Sequence, residues 1–331
     1  MGAVTDVFLI TGFLGSGKTT FLNRLTRAFP PDRKLVILMN EFGDIGVDGL
    51  LVEGEDLEVL EISRGSIFCV CVKTDFIRGL AGIAREIRPD VLIIEATGAA
   101  DPGDMKRDLG LSVFRNRFRF REQICLIDAV NFTAVYDAFA SVEKQMAAAT
   151  CFIINKTDLA GPSEVIRIRE IVGRHHPDPV FHETTFGGIP LERFAAAVLS
   201  PEAPASPSPA PLPEAEIDQA IEILLRDPLR VMLPPDTLAS AVIHVADGTR
   251  DDFLGLSDAL PAGLLRAKGF VRLDGDVHLF SWVMGKGEVR RVAHRKIPDA
   301  ILGRLVCIGP PALVKALPDV CGTHAVVLKI S

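Results

Sequence analysis

Short apolar runs recur through the first two thirds of the chain, and polar or glycine-rich stretches follow them. Val7–Ile10, Leu35–Met39, Val91–Ile94, Cys125–Ile127 and Phe152–Ile154 are continuous rather than alternating. That is the pattern of strands buried on both faces. Leu57–Ile62 adds a further strand. Between the runs the spacing turns helical. Phe21, Leu22 and Leu25 share one helix face, a second helix is expected from about Asp75 to Arg88, and a third over Ser163–His175 with Ser163 as N-cap. Val180-Phe181 leads to Thr184-Thr185, and Leu191–Leu199 closes the series as a last helix. Strands alternating with helices predict an α/β fold, a mostly parallel sheet flanked by helices. Ser200–Pro213 then carries six prolines and reads as an extended linker. Beyond it Ile217–Leu225 is helical, and short strand-like runs follow at Ala241–Val245, Lys268–Leu273, His278–Met284, Glu288–Ala293, Arg304–Ile308 and Ala325–Ile330. The predicted organisation is a first domain over 1–200, a linker over 201–216 and a smaller α+β C-terminal domain over 217–331.

The stretch after the first strand carries the chemistry. Gly12-Phe13-Leu14-Gly15-Ser16-Gly17-Lys18-Thr19-Thr20 fits G-x-x-x-x-G-K-[ST], with a strand before it and a helix after it. The glycines Gly12, Gly15 and Gly17 let backbone N–H groups turn inward, and the helix N-terminus beginning near Ser16 adds partial positive charge. Lys18 would reach the β- and γ-phosphates, and Thr19, followed by Thr20, would ligate Mg²⁺. Asn155-Lys156-Thr157-Asp158 fits N-K-x-D at the end of another buried strand. Its Asp158 carboxylate can accept two hydrogen bonds from the guanine edge, which adenine cannot supply, so GTP is predicted over ATP. Glu95 ends the Val91–Ile94 run, where nucleoside triphosphatases with this loop hold a carboxylate near Mg²⁺ or its waters. Gly98, three residues on, is placed to donate an N–H to the γ-phosphate. No glutamine follows Gly98, so Glu41, Asp44, Asp48 or a group from a partner is left to orient the attacking water. The candidate catalytic residues are Lys18, Glu95 and Glu41.

Charge and cysteine usage narrow the class. A net charge of −7 and a pI near 5.6 argue against a nucleic-acid binder. Arg115–Arg121 holds four arginines in seven residues and is expected to be a solvated face or a protein-docking patch. No run of 18 or more apolar residues occurs, so no membrane span is expected. A cytoplasmic location, without a cleaved leader or a disulfide framework, follows as the expectation. Cys125 and Cys151 read as small buried hydrophobes. His175-His176 falls at a helix end, where imidazole suits the dipole. Cys69 and Cys71 stand at C-x-C spacing. Two thiols so placed can supply two of the four ligands of a tetrahedral Zn²⁺, Co²⁺ or Ni²⁺ site, with Glu41 as a third. The alternative is that they pack as ordinary small residues, with Ile67 and Phe68 anchoring the loop.

Taken together, Gly12–Thr20, Asn40–Asp48, Glu95–Gly98, Ala100–Gly103 and Asn155–Asp158 resemble the successive blocks of CobW-like P-loop GTPases. Leu265–Val271 and Leu305–Gly309 are similar to blocks of the CobW C-terminal domain. The resemblance covers nearly the whole chain. It implies a P-loop fold and GTP hydrolysis to GDP, coupled to delivery of a transition metal or insertion of a metallocofactor into a client protein. It also implies relationship to the urease and hydrogenase accessory GTPases. Such relatives carry the metal on a C-x-C-C element. Here Ser66 and Phe68 stand where that pattern has cysteines, and of Cys69 and Cys71 only Cys69 falls on a family thiol position. The implied partners are guanine nucleotide and a client metalloprotein or cofactor-dependent enzyme, with a homodimer admitted and neither nucleic acid nor membrane. The rival reading is a GTP-gated chaperone of such an enzyme, a corrinoid methyltransferase for example, with no metal site of its own.

Overall fold

The computed structural model describes residues 4–41, 58–63, 70–96, 98, 101–114, 116–189, 216, 219–223, 236, 238–292, 297–321 and 326–330. It divides into two compact units with the main boundary between Asp236 and Thr237. The first is built on β1 (Thr5–Thr11), α1 (Lys18–Ala28), β2 (Leu35–Glu41), β3 (Glu58–Ser63), α2 (Val70–Gly82), β4 (Val91–Glu95), α3 (Pro102–Leu109), β5 (Phe118–Asp128), α4 (Phe132–Ala138), α5 (Ala140–Ala148), β6 (Cys151–Asn155), α6 (Pro162–His175) and β7 (Val180–Glu183). The strand order is β3-β2-β4-β1-β5-β6-β7. Every pairing from β2 across to β7 is parallel. The central strands β1, β4 and β6 are buried along their whole length, which is why their sequence is continuously apolar. Two apolar layers sandwich the sheet. Val7, Leu9, Leu92 and Ile94 face one, with Phe76, Leu80 and Phe114; Phe8, Ile10, Ile37 and Ile153 face the other, with Phe21 and Leu22.

Several elements depart from the sequence expectation. The second helix starts at Val70 rather than Asp75 and runs on as a π-helical turn over Ile83–Ile87. Ser163 is not an N-cap: the cap position of α6 is Gly161, and Pro162 takes the first helical position, where its fixed φ and missing N–H suit the helix start. Arg119 and Arg121 of the arginine-rich stretch are not a solvated face. They lie in β5, where Arg119 grips Asp6 through two bonds of 2.5 and 2.9 Å and Arg121 stands 3.9 Å from the same carboxylate, at the edge opposite the glycine loop. The helical residues 219–223 bring Ile221 into the first unit's core, ahead of the main boundary, although the sequence pattern put the second domain's start at 217. The Leu191–Leu199 helix lies outside the described residues.

The second unit is an antiparallel sheet of β8 (Ala239–His244), β9 (Arg266–Leu273), β10 (Asp276–Val283), β11 (Lys286–Arg291), β12 (Arg304–Gly309) and β13 (Val326–Ile330), in the order β11-β10-β9-β12-β8-β13. Helices α7 (Arg250–Ala259) and α8 (Pro311–Cys321) belong to the same core. Alternate residues Ala241 and Ile243, Val271 and Leu273, Phe280 and Trp282, and Leu305 and Cys307 pack with Phe253, Leu256, Val314 and Leu317. The fold class expected from sequence, a parallel α/β sheet followed by a smaller α+β unit, is the fold observed.

Candidate functional site

In a parallel sheet all C-terminal strand ends share one edge, and ligands bind there, where neighbouring connections diverge. β1 lies at that divergence, with β4 on one side and β5 on the other. It runs into a loop whose Gly12, Gly15 and Gly17 take φ of 135°, 81° and 103°. Such values are open to glycine and strained for other residues. Gly17 is the N-cap of α1, with no side-chain cap on the first turn. Its N–H groups and positive dipole end therefore face the loop, an anion-binding arrangement. Lys18 is only 6% exposed. Its ammonium donates to the carbonyls of Gly12 at 2.9 Å and Phe13 at 3.3 Å, which fixes the charge over the loop. The Ser16 hydroxyl is buried and has no hydrogen-bond partner among the described residues. Thr19 is half-buried and Thr20 exposed at the first turn. Beneath the loop, burial pushes the Cys125 thiol up to about 12, against the opposing pull of the Thr11 hydrogen bond and the Lys18 charge.

The Asn155–Asp158 stretch is tied to this loop directly. Asn155 is 2% exposed. Its amide donates to the Ser16 carbonyl at 2.9 Å, and its Oδ1 accepts from the Gly187 N–H at 3.0 Å. A Cβ on Gly17 would stand 2.4 Å from Asn155 Nδ2, so glycine is required for the approach. Lys156, at φ 63°, reaches back to Asp128 Oδ2 at 2.6 Å. Asp128 also accepts from Val130 N and Asn131 Nδ2, both at 3.0 Å. Thr157 Oγ1 donates to the Thr184 carbonyl at 3.1 Å. With its neighbours so held, Asp158 is left exposed at the tip. The sequence reading missed two parts of this network. Asp128 was legible only as a strand end. The turn at Phe186 and Gly187, with φ of 51° and 66°, carries a Thr-Thr-Phe-Gly-Gly sequence whose paired glycines were the available signal.

On the other side of β1, Glu95 is placed beside Ile10 by the β1–β4 register and keeps its carboxylate at 6% exposure. Gly98 abuts the loop: a Cβ there would fall 2.6 Å from Leu14 N. Gly12, Lys18, Glu95, Gly98 and Asn155 are thus gathered at one edge. Of the proposed metal ligands, Cys69 lies outside the described residues, as do Ser66, Phe68, Asp44 and Asp48. Only the backbone is described for Cys71, in α2, and Glu41, at the end of β2. Among the described residues no cluster of three or more His, Cys, Asp or Glu could hold a metal ion. The two histidines stand at the end of α6 as expected, His175 in the last turn and His176 as C-cap, and both also pack: Tyr136 Oη lies 3.0 Å from His175 Nε2, and His176 Nε2 donates to the Met146 carbonyl at 2.9 Å. No helix among the described residues is long and apolar enough to cross a membrane.

These features agree with what the chain is similar to. Residues 6–181, more than half of the sequence, match the family described as CobW/HypB/UreG, nucleotide-binding domain. The zinc chaperone YeiR of Escherichia coli (strain K12) is 35% identical over 162 residues, 48% of this chain and 48% of that protein. The zinc chaperone YjiA of the same organism is 30% identical over 190 residues, 56% of this chain and 59% of that protein. The matched stretch thus spans only about half to three fifths of the length of these curated relatives. The Zn(II)-bound YjiA GTPase from E. coli is similar as a solved structure, at 22% identity and a TM-score of 0.44 over 97% of this chain and 99% of that one. With strand, glycine loop, helix and the Asn155–Asp158 stretch all within the matched span, the chain belongs to the CobW/HypB/UreG family.

Proposed function

We propose that this chain hydrolyses GTP and uses its nucleotide state to govern delivery of a transition metal, Zn²⁺ first, to a client metalloprotein. The observation that carries the nucleotide half is the Asn155 bridge between the Ser16 carbonyl and the Gly187 N–H. It locks the N-K-x-D stretch onto the glycine loop and leaves Asp158 exposed to meet a guanine edge. The loop around Gly12, Gly15, Ser16 and Gly17 cradles the phosphates through backbone N–H groups, and the anchored Lys18 ammonium neutralises charge developing between the β- and γ-phosphates. The buried Ser16 hydroxyl offers a further donor there. Thr19 and Glu95 are hard oxygen donors that suit Mg²⁺, either directly or through its waters. When bound, Mg²⁺ would neutralise the phosphate oxygens. Gly98 donates its N–H to the γ-phosphate. Hydrolysis is then largely a matter of positioning, and is slow until a partner completes the site. The reading favours GTP over ATP because only guanine supplies the donor pair that Asp158 needs.

The metal half rests on the relatives' names as zinc chaperones and on Cys69, Cys71 and Glu41. These supply an incomplete donor set that a receiving protein can finish. Cargo held on thiolates should weaken at low pH, because the thiols must lose protons to bind it. The names of the relatives lend no support to a chaperone without a metal of its own. The test is anaerobic Zn²⁺ and Co²⁺ titration with Mg²⁺–GTP, Mg²⁺–GDP and no nucleotide, on the wild type and on Cys69→Ser/Cys71→Ser, alongside a GTP–ATP competition. Tight binding that changes with nucleotide and is lost in the variant is expected. Unchanged stoichiometry in the variant would remove the metal assignment, and equal affinity for ATP would remove the guanine assignment.

A further inference from the structure

Helix α5 carries no residue of any recognised motif, yet it touches the phosphate side of the site at several points. Gln145 is 1% exposed. Its Oε1 accepts from the Gly12 N–H at 3.1 Å, and its Nε2 donates to the Gly98 carbonyl at 2.9 Å. One amide therefore spans the first glycine of the phosphate loop and the glycine that follows β4. The preceding residue, Lys144, binds the Asp101 carboxylate at 2.9 Å, and the other Asp101 oxygen caps α3 through Gly103 N. Gln123 fixes the Gln145 backbone by donating to its carbonyl at 3.0 Å. At the helix start, Phe139 stacks obliquely against Phe13 of the loop, with centroids 5.1 Å apart.

The N-terminus of α5 has no local side-chain cap. Its first N–H groups are taken instead by a residue 95 positions downstream. Asp236 Oδ1 accepts from Ala140 N at 3.0 Å, and Oδ2 accepts from Ser141 N at 2.7 Å. Asp236 is the last residue of the first unit, and the chain enters the second unit at Thr237. A carboxylate on a helix N-terminus is favourable through both hydrogen bonds and dipole. Its position here means that one short helix is held at its start by the last residue of its own unit and in its middle by the glycine loop.

We propose that α5 couples the nucleotide state to that junction. Gln145 is the positioning residue that registers Gly98 against Gly12, and Asp236 is the residue that carries the result to the segment entering the second unit. The proposal rests on the reading of the site as a GTP site, in which Gly98 meets the γ-phosphate. A γ-phosphate that draws the Gly98 peptide inward changes the carbonyl that Gln145 holds, and α5 is stiff enough to pass a shift of one turn to its capped end. Linkage makes the effect reciprocal: loosening the cap must alter the relative affinity for the two nucleotides.

The test uses the full chain with Mg²⁺–GDP and a non-hydrolysable Mg²⁺–GTP analogue. Asp236→Ala is expected to change the ratio of the two dissociation constants by a factor of about 5 and to lower kcat more than it raises KM. Asp236→Asn, which keeps one of the two capping oxygens, should restore part of both. Gln145→Met should give the same direction of change. Combining it with Asp236→Ala should add little, because the link is already broken, whereas losses that multiply would overturn the coupling. Where Gln145→Met fails to fold, hydrogen exchange at the Ala140 and Ser141 amides of the wild type decides the matter. Rates that differ between the two nucleotide states support the link, and equal rates overturn it. Asp236→Ala with a lowered Tm but wild-type nucleotide ratio and kcat makes the contact a structural cap only and also overturns it. A wild type that binds no guanine nucleotide at all sinks the GTP reading and the coupling together. Normal GTP binding with inert variants sinks the coupling alone.

Discussion

The two units differ in what their interiors contain. In the first, Ser16, Lys18, Glu95, Asp128, Gln145, Asn155 and Thr184 are all buried, and these seven gather near the C-terminal edge of one sheet. In the second, the buried polar residues among those described are Ser240 and Lys268. Burial of a polar group is unfavourable unless it is bonded, so an interior free of them is the default solution for stability. The second unit comes close to that solution, with Phe253, Phe280, Trp282 and Leu305 in one apolar core. The first departs from it most at that edge, with a smaller buried polar group at the opposite end, where Thr5 and Asp6 lie. The difference predicts which substitutions change chemistry and which change stability.

Lys18→Ala gives the largest expected effect. GTP turnover should fall by at least about 100-fold, as loss of one preorganised charge at developing phosphate charge does. Circular dichroism and Tm should stay close to wild type, because the bonds from its ammonium to the Gly12 and Phe13 carbonyls lie within its own motif. Turnover that survives would break the assignment of the loop. Phe280→Ala is the mirror case. It leaves a cavity where the ring meets Phe253 edge to face at 4.7 Å and should destabilise the second unit by about 3–5 kcal/mol. The chain has one tryptophan, Trp282, in that same core, so its emission during urea unfolding reads this unit. Guanine-nucleotide affinity below the transition should be unchanged, and a parallel loss would mean that the units fold as one.

Asp158→Asn should act on specificity alone. Replacing the carboxylate removes one acceptor and presents N–H groups to the guanine donors, at a cost of about 2 kcal/mol, or roughly thirtyfold in GTP affinity. ATP affinity should not fall. The residue is exposed, so Tm should not move. Competition binding with the two nucleotides checks this, and an equal loss for both would place the base elsewhere.

How much of this was legible in the sequence follows from the range of each interaction. The glycine loop and Asn155–Asp158 are contiguous, and their chemistry is set within a few residues, so pattern and spacing were enough. The same held for strands buried on both faces, whose apolar runs have no competing explanation. The second unit's strands were legible as short strand-like runs after the proline-rich stretch. What escaped notice is joined over long separations. Gln145 reaches Gly12 across 133 residues and Asp236 reaches Ala140 across 96, and neither lies in a motif. Asp128 closed an apolar strand like any capping acid, and its bond to Lys156 exists only because β5 and β6 are neighbours. Arg119 and Arg121 looked solvated because their partner, Asp6, is over a hundred residues away. Ser163 looked like a cap because its type fits, but Pro162 had already set where the helix starts.

The smallest expected effect asks whether the polar edge is as dry beneath the loop as the second unit is throughout. Burial pushes the Cys125 thiol up to about 12, with Thr11 and Lys18 pulling the other way. Burial also raises the Cys307 thiol, and there no such group opposes it. A thiol whose pKa is raised on folding contributes stability that is complete below the unfolded value near 8.5 and is lost as pH rises toward the folded value. Between those values the unfolded chain releases the proton and the folded chain does not. At pH 9.5 each such thiol therefore lowers the unfolding free energy by about 1.4 kcal/mol relative to neutral pH. Denaturant unfolding at pH 7.5 and 9.5 should show a drop that is smaller by about this amount in Cys125→Ala, and likewise in Cys307→Ala. Equal shortfalls would mean that the floor of the phosphate loop excludes water as fully as an apolar core does, which strengthens every charge interaction that Lys18 makes above it. A full-sized drop retained in Cys125→Ala alone would mean that water reaches beneath the loop, and the contrast between the two units would then extend from their polar groups to their solvation.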